Sequence, residues 1–323
     1  MTDYTIRKFH WDDVEALTGV WNAAHHAMNS TLTFTTEQMR VFLEMPDVDP
    51  ENDNFMVEHE GKVIAYGAAE FDVDMGQGFG ECAVHPDYQN QGIGTRLLHI
   101  TDQRIAELMQ AKAKPDMPLY TLRVAIPADT YAIKLFCDEG YREIRAFYQM
   151  LIDLDQPIDA PPLPEGLVFR PFDAERDAYA VYEAHQESFE DHWNHHKASF
   201  EEWSNLTVNF PGADHSMWRI AWDGDQIAGL AISRVNSSDK PDQAWVSVLG
   251  VRRPWRKRGL GYALLRQSFA LFQSRGFKTA ALAVDGSSLT NAVALYERAG
   301  MHVHQQRLVF RKMIRGSEED LQS

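Results

Sequence analysis

Apolar positions along this chain recur with helical and strand periods, and the order in which they do so occurs twice. In the first half an apolar run at 82–84 leads into HPDYQNQGIGTRLL at 85–98, and Ile93, Leu97, Ile105 and Leu108 fall on one helical face. In the second an apolar run at 246–251 leads into RRPWRKRGLGYALL at 252–265, with Leu260, Leu264, Leu271 and Phe272 spaced alike. Strand-like runs follow at 119–125 and 279–284. Next come AIKLFCDEGY (132–141) and AVALYERAGM (292–301), short helices ending at Gly140 and Gly300, where a left-handed residue closes the last turn. Closing strands are predicted at 141–152 and 301–313. Upstream, strands at 6–9 and 167–172 precede helices at 12–26 and 174–189. Turns fall at 58–62 and 222–225, the second with the hairpin pair Asp223-Gly224.

Each half therefore reads as strand, helices, a three-strand antiparallel meander, helix, strand, helix, strand. The long helix carries the chain from the fourth strand to the fifth, which makes that pair parallel. The predicted class is α+β: two tandem domains, each a twisted, mixed and mostly antiparallel sheet flanked by helices. Pro157, Pro161, Pro162 and Pro164 crowd one stretch, which predicts an extended linker at 153–165 between domains at 1–152 and 166–314. The polar tail at 315–323 is expected to fray.

Composition narrows the function. Of 323 residues 44% are hydrophobic and 24% charged, enough for packed cores. The formal charge of −16 repels phosphate, which disfavours nucleic acid and anionic membranes as partners and favours a cationic acceptor. Two cysteines, Cys82 and Cys137, give no disulfide framework. The first ten residues lack the pattern of a signal peptide, and no run approaches about 18 apolar residues. A cytoplasmic protein is expected.

The chemistry-bearing turn is Arg256-Lys257-Arg258-Gly259-Leu260-Gly261. At a strand-to-helix junction the first turn of the helix offers unpaired N–H groups and partial positive charge, and glycines let a ligand approach closely. With three basic residues this makes a pyrophosphate cradle. It lacks the Lys-Ser/Thr of a P-loop and is not GxGxxG, so nucleotide hydrolysis and Rossmann-type hydride transfer are poorly supported. The first half carries Gln89, Asn90, Gln91, Gly92, Ile93 and Gly94 at the matching place.

Together these residues resemble the GNAT superfamily of acyl-CoA-dependent N-acyltransferases. The second half carries Arg256, Gly259 and Gly261, then Asn291, Ala294, Leu295, Tyr296 and Gly300; the first carries Gln89, Gly92, Gly94, Leu135, Phe136 and Gly140. The paired layout is similar to tandem members such as mycothiol synthase, although no residue carries that substrate over. The resemblance implies acetyl-CoA as cofactor. Its pyrophosphate would be held by main-chain N–H groups from Lys257 to Gly261, with Arg256 and Arg258 adjacent. Its pantetheine would lie along Val248, Leu249, Gly250 and Val251, and a bulge there would free an N–H, at Leu249 or Gly250, for the thioester carbonyl. Asn291 would contact the cofactor arm and Tyr296 would protonate the departing thiolate. In the first half Phe136 and Tyr131 replace Tyr296 and Asn291, so that copy is expected to be degenerate, holding coenzyme A without catalysing or merely supporting its partner.

An alkylamine acceptor, with a pKa of about 10.4, must lose a proton before it attacks. Many relatives use a carboxylate on the fourth strand, and residues 244–251 offer only Trp245 and Ser247. Ser247 is kept as a candidate. The remaining candidates lie at 185–203, where Glu187, Glu190, Asp191 and His192 are positioned to attract an amine and relay its proton. His192, His195 and His196 cluster without metal-site spacing, and no metal is expected. Trp21, His25 and His26 are the counterpart in the first half or simply an amphipathic helix. The function read from the chain is acetyl transfer to a primary amine of a small molecule, by direct attack in a ternary complex at the second domain. The alternatives are a non-enzymatic acyl-CoA-binding regulator and transfer of a longer acyl group.

Overall fold

Both halves fold in the order that their apolar periods imply. The first contains β1 (Thr5–Lys8), α1 (Val14–Ala27), α2 (Thr36–Leu43), α3 (Pro50–Asp53), β2 (Asn54–His59), β3 (Lys62–Asp72), β4 (Gln77–Val84), α4 (Ile93–Lys112), β5 (Leu119–Ala125), α5 (Thr130–Asp138) and β6 (Arg142–Asp153). The second contains β7 (Val168–Phe169), α6 (Ala174–Phe189), α7 (Phe200–Leu206), β8 (Arg219–Asp223), β9 (Gln226–Ser237), β10 (Lys240–Val251), α8 (Leu260–Ser274), β11 (Thr279–Asp285), α9 (Ala292–Arg298) and β12 (His302–Arg315). The computed structural model describes residues 3–30, 33–45, 48–193, 197–237, 240–287 and 291–321. Gly140 and Gly300 close α5 and α9 at φ 87° and 96°. Among the described residues no helix is long and apolar enough to cross a membrane.

The closing strands do not stay with their own halves. One compact unit comprises residues 1–146 and 306–323, the other residues 147–305. In the first unit β1 to β5 are followed by the end of β12, where Leu308 pairs with Ala125 and Phe310 with Arg123. In the second, residues 147–153 of β6 pair with β11, Phe147 opposite Asp285 and Asp153 opposite Thr279. The units therefore do not coincide with 1–152 and 166–314. The reason is physical: either closing strand presents the alternation that either sheet accepts, so the pattern alone does not say which sheet it joins.

Both units bury their sheets between helices. In the first, Leu17, Val20 and Trp21 of α1 pack on Met56 and Tyr66, while Ile93 and Leu97 of α4 pack on Val57 and Ala65. In the second, Val181 and Tyr182 of α6 pack on Ile220, Leu230 and Val248, while Leu265 and Phe269 of α8 pack on Ala244 and Val246. The Pro-rich stretch is docked along α8 rather than free. Gln273 donates to the carbonyls of Leu154 and Gln156 at 2.8 and 2.7 Å, and Gln267 donates to that of Pro161 at 2.8 Å. Nor does the tail fray up to residue 321: Glu319–Leu321 form a turn of 3-10 helix, and Arg311 pairs with Glu318.

Phe310 lies in the second half of the sequence but in the first unit's core, with Leu98 and Phe136. Phe310→Ala should destabilise by about 3–5 kcal/mol. Hydrogen exchange should accelerate in α4 and α5. Acceleration confined to α8 and α9 would contradict the exchange of strands.

Candidate active site

The second unit's site forms where two parallel strands part. β10 and β11 pair only from Gln243–Thr279 to Trp245–Ala281. A side-chain ladder holds the base of the split: Asn236 Nδ2 donates to Gln243 Oε1 at 2.6 Å, and Gln243 Nε2 donates to Thr279 Oγ1 at 2.9 Å. Just beyond, β10 carries a bulge, since Val246 faces Ser233 while Val248 faces Ile232. The extra residue is Ser247. Arg252 N–H bonds back to Ala228 O, so strand alternation turns the amides of Leu249 and Val251 the other way, into the split.

The cradle lies at the end of that strand. Lys257 and Gly259 take left-handed conformations, φ 61° and 82°, and Gly259 caps α8 without a side chain, leaving the first N–H groups of the helix open. Arg256 Nε donates to Val251 O at 3.0 Å and its Nη2 to Ser188 O at 3.2 Å, which ties the turn to the end of α6. A cavity of about 720 Å³ joins the split to the cradle. Tyr296 lines it at 8% exposure, and burial pushes its phenol up to about 12, so the hydroxyl holds its proton at neutral pH.

The structure brings Tyr296, Ser247, His192, Leu249, Gly250, Val251, Arg256, Lys257, Gly259, Leu260 and Gly261 to one wall. It does not bring the others. Val248 packs into the core under α6, Arg258 donates to the carbonyl of Glu165, and Asn291 is exposed at the start of α9. The bulge sits at Ser247, earlier than Leu249 or Gly250, although the Leu249 amide does face the split. Glu190 lies 3.3 Å from Arg253, and Asp191 is 2.6 Å from Arg253 and 3.3 Å from Arg256. Those guanidinium groups hold the Asp191 carboxyl below its usual range. These acids, just past the end of α6, thus brace Arg253 and the cradle's Arg256. His195 and His196 lie outside the described residues. Reading the sequence missed Phe147, Trp193, Asp285 and Arg298, which also line the cavity. Phe147, its ring tilted against Trp193 with centroids 6.0 Å apart, arrives on an exchanged strand and so has no signal in its linear neighbourhood.

The first unit repeats the cradle but not the split's chemistry. Asn90 and Gly92 hold φ 61° and 79°, matching Lys257 and Gly259, and β4 pairs with β5 only from Gln77–Tyr120 to Phe79–Leu122. Gln89, Gln91, Ile93 and Gly94 complete that turn, Ile93 with its side chain in the core. Yet β4 runs beside β3 in unbroken register, with no bulge. The buried Arg123 guanidinium fills the place where a Cβ on Gly80 would lie, held by Thr101 at 2.8 Å and by Asp102. Phe136 packs edge-on against Phe310, and Tyr131 Oη bonds Thr95 on the first turn of α4 at 2.6 Å. Here the fourth strand does carry an acid: Glu81 accepts from Trp21 Nε1 at 3.0 Å, and burial raises its pKa.

Known proteins share this architecture. The profile of the acetyltransferase (GNAT) family matches residues 178–301, and that of the acetyltransferase (GNAT) domain matches residues 51–143. The mycothiol acetyltransferase of Salinispora arenicola is 33% identical over 258 residues, 76% of this chain and 78% of its own. The chain belongs to the GNAT acetyltransferase family. That of Thermobispora bispora is 30% identical over 68% of this chain and 71% of its own. Among solved structures, a GCN5-related N-acetyltransferase from Sphaerobacter thermophilus superposes with a TM-score of 0.77 at 28% identity, covering 98% of both chains. A tandem GNAT protein from the clavulanic acid biosynthesis pathway shares the fold, at a TM-score of 0.70 and 16% identity, covering 98% of this chain and 100% of its own.

As a GNAT-type N-acetyltransferase the protein takes acetyl-CoA as acyl donor. The second unit's residues fit that group. Gly259 opens the helix start, β10 leaves an unpaired edge along the split, and Lys257, Arg256 and Arg298 put positive charge on the wall. A Cβ on Gly261 would meet Leu295 and Val251 at 3.5 and 3.6 Å, so only a larger side chain must enter the cavity. Gly261→Leu should weaken coenzyme A binding at this site at least about tenfold without lowering the melting temperature. Calorimetric titration checks this, and unchanged affinity would remove the turn from the donor site.

Proposed function

We propose that the second unit transfers the acetyl group to a primary amine of a small molecule by direct attack, and that the first unit holds coenzyme A without turning it over. The carrying observation is the contrast at the two splits: a bulge and Tyr296 at one, a regular strand and Phe136 at the other. Acetyl-CoA, when bound, supplies an activated acetyl thioester. Everything else falls to the chain. The Leu249 N–H, freed beside the bulge, is a fixed donor for developing negative charge on a carbonyl oxygen. Tyr296 has no protein partner for its hydroxyl among the described residues, and its raised pKa keeps a proton there for a departing thiolate.

The amine must shed its own proton. His192, just beyond α6, and Asp285 at the end of β11 are the groups lining the cavity suited to take it. Glu190, braced by Arg253, is not. Ser247, exposed on the bulge, lines the same space and offers its hydroxyl to the acceptor. A small-molecule acceptor agrees with the names of the relatives.

Tyr296→Phe should lower kcat by about 10²-fold while the Kd for acetyl-CoA changes less than about twofold. Thiol release under single-turnover conditions measures the chemical step. A wild-type rate there would exclude Tyr296 as the acid.

A further inference from the structure

The two faces of the split in the second unit carry different chemistry. Tyr296 belongs to the α8 face, where it packs with Leu265 and Phe269, and the cradle opens α8 itself. A donor held by the cradle therefore enters the split from that side. Val284 and Tyr148 turn into the same core. Strand alternation then turns Ala283, Asp285 and Phe147 to the opposite, α6 face, with Phe147 directly across from Asp285. That face is left for the second substrate.

Aromatic rings wall it. Phe147 is tilted against Trp193 with centroids 6.0 Å apart, and Phe189, at the end of α6, is tilted against His192 at 4.4 Å. All four line the cavity. Ala283, two residues before Asp285 on the same face, is small and exposed, so the sheet beneath the rings stays uncovered. Asp285 is the one carboxylate among the described lining residues, and it accepts from the Ser287 N–H at 2.9 Å. The cations on the wall, Arg256, Lys257 and Arg298, come from the cradle and from α9. Charge is thus divided across the split, positive at the cradle and negative on the ring-lined face.

We infer that this face binds the acceptor and that the acceptor is an arylalkylamine, a primary amine on a short chain from an aromatic ring. Asp285 draws the ammonium group toward the split. The rings of Phe147 and Trp193 take the aromatic body in edge-to-face or offset contact, and their faces attract the cation as it passes. An aminosugar or a polyamine would instead press hydroxyl groups or a second ammonium group against rings that return no hydrogen bond, at the cost of its hydration. The inference rests on the proposed transfer to an amine and concerns the body that carries that amine.

The test follows thiol release from acetyl-CoA with phenethylamine, 2-cyclohexylethylamine, putrescine and glucosamine, and titrates phenethylamine calorimetrically into the protein loaded with coenzyme A. The wild type should use phenethylamine at least about tenfold better in kcat/KM than putrescine or glucosamine, and about two- to tenfold better than its saturated analogue. Phe147→Leu and Trp193→Leu each keep an apolar side chain and remove a ring. Each should cut the preference over glucosamine about threefold or more, through KM for phenethylamine, while still binding coenzyme A as the wild type does. Either variant decides alone if the other does not fold. Equal or better use of putrescine, glucosamine or the cyclohexyl amine would overturn the aromatic class and leave amine transfer intact, and so would an unchanged preference in the variants. No thiol release with any amine, together with phenethylamine binding that the variants weaken, would uphold the pocket and overturn the transfer reading. Neither release nor binding would overturn both.

Discussion

Everything at the active site depends on two parallel strands that stop pairing. A sheet that continued its hydrogen bonds past Trp245 and Ala281 would bury the edge of β10, and no extended ligand arm could bond there. The separation is set by the Asn236–Gln243–Thr279 ladder below and by the Ser247 bulge above. A bulge adds one residue and turns the strand, and here it leaves the Leu249 amide aimed at open space. The helix that follows begins where β10 ends, so its unpaired N–H groups and the open strand edge line one continuous path.

Electrostatics completes the path. In a chain of net charge −16, Lys257, Arg256 and Arg298 make the cavity wall locally positive. The carboxylates at the end of α6 do not cancel that charge so much as position it: Asp191 bridges Arg253 and Arg256, and Glu187 holds Arg252 at 2.6 Å. The first unit spends a comparable set of groups differently. Its Arg123 is buried with Asp102 and Tyr141 beneath β4, where it supports the strand that carries Glu81. The same cradle backbone, Asn90-Gln91-Gly92 and Lys257-Arg258-Gly259, therefore serves two different interiors.

Much of this was legible in the linear chain because it is local. The glycine turns, the helix period in α4 and α8, the αL caps at Gly140 and Gly300 and the Phe136/Tyr296 difference are each written within a dozen residues. What depends on distant partners was not. The alternation in β6 and β12 fits either sheet, so the exchange of closing strands, and with it Phe147 on the cavity wall, has no local mark. The bulge at Ser247 is a relation between β10 and β9. Glu187, Glu190 and Asp191 read as free acids until the fold sets Arg252, Arg253 and Arg256 against them. Asn291 opens α9 in a left-handed turn at φ 54° and is exposed.

The central claim is that only the second split polarises a thioester carbonyl. The infrared stretch of carbonyl-labelled acetyl-CoA, recorded on the protein without an acceptor, reads that directly. The account predicts a band shifted to lower frequency that survives Gly94→Leu, which blocks the first cradle, and disappears in Gly261→Leu. A shifted band that persists when the second cradle is blocked and is lost when the first one is would contradict it.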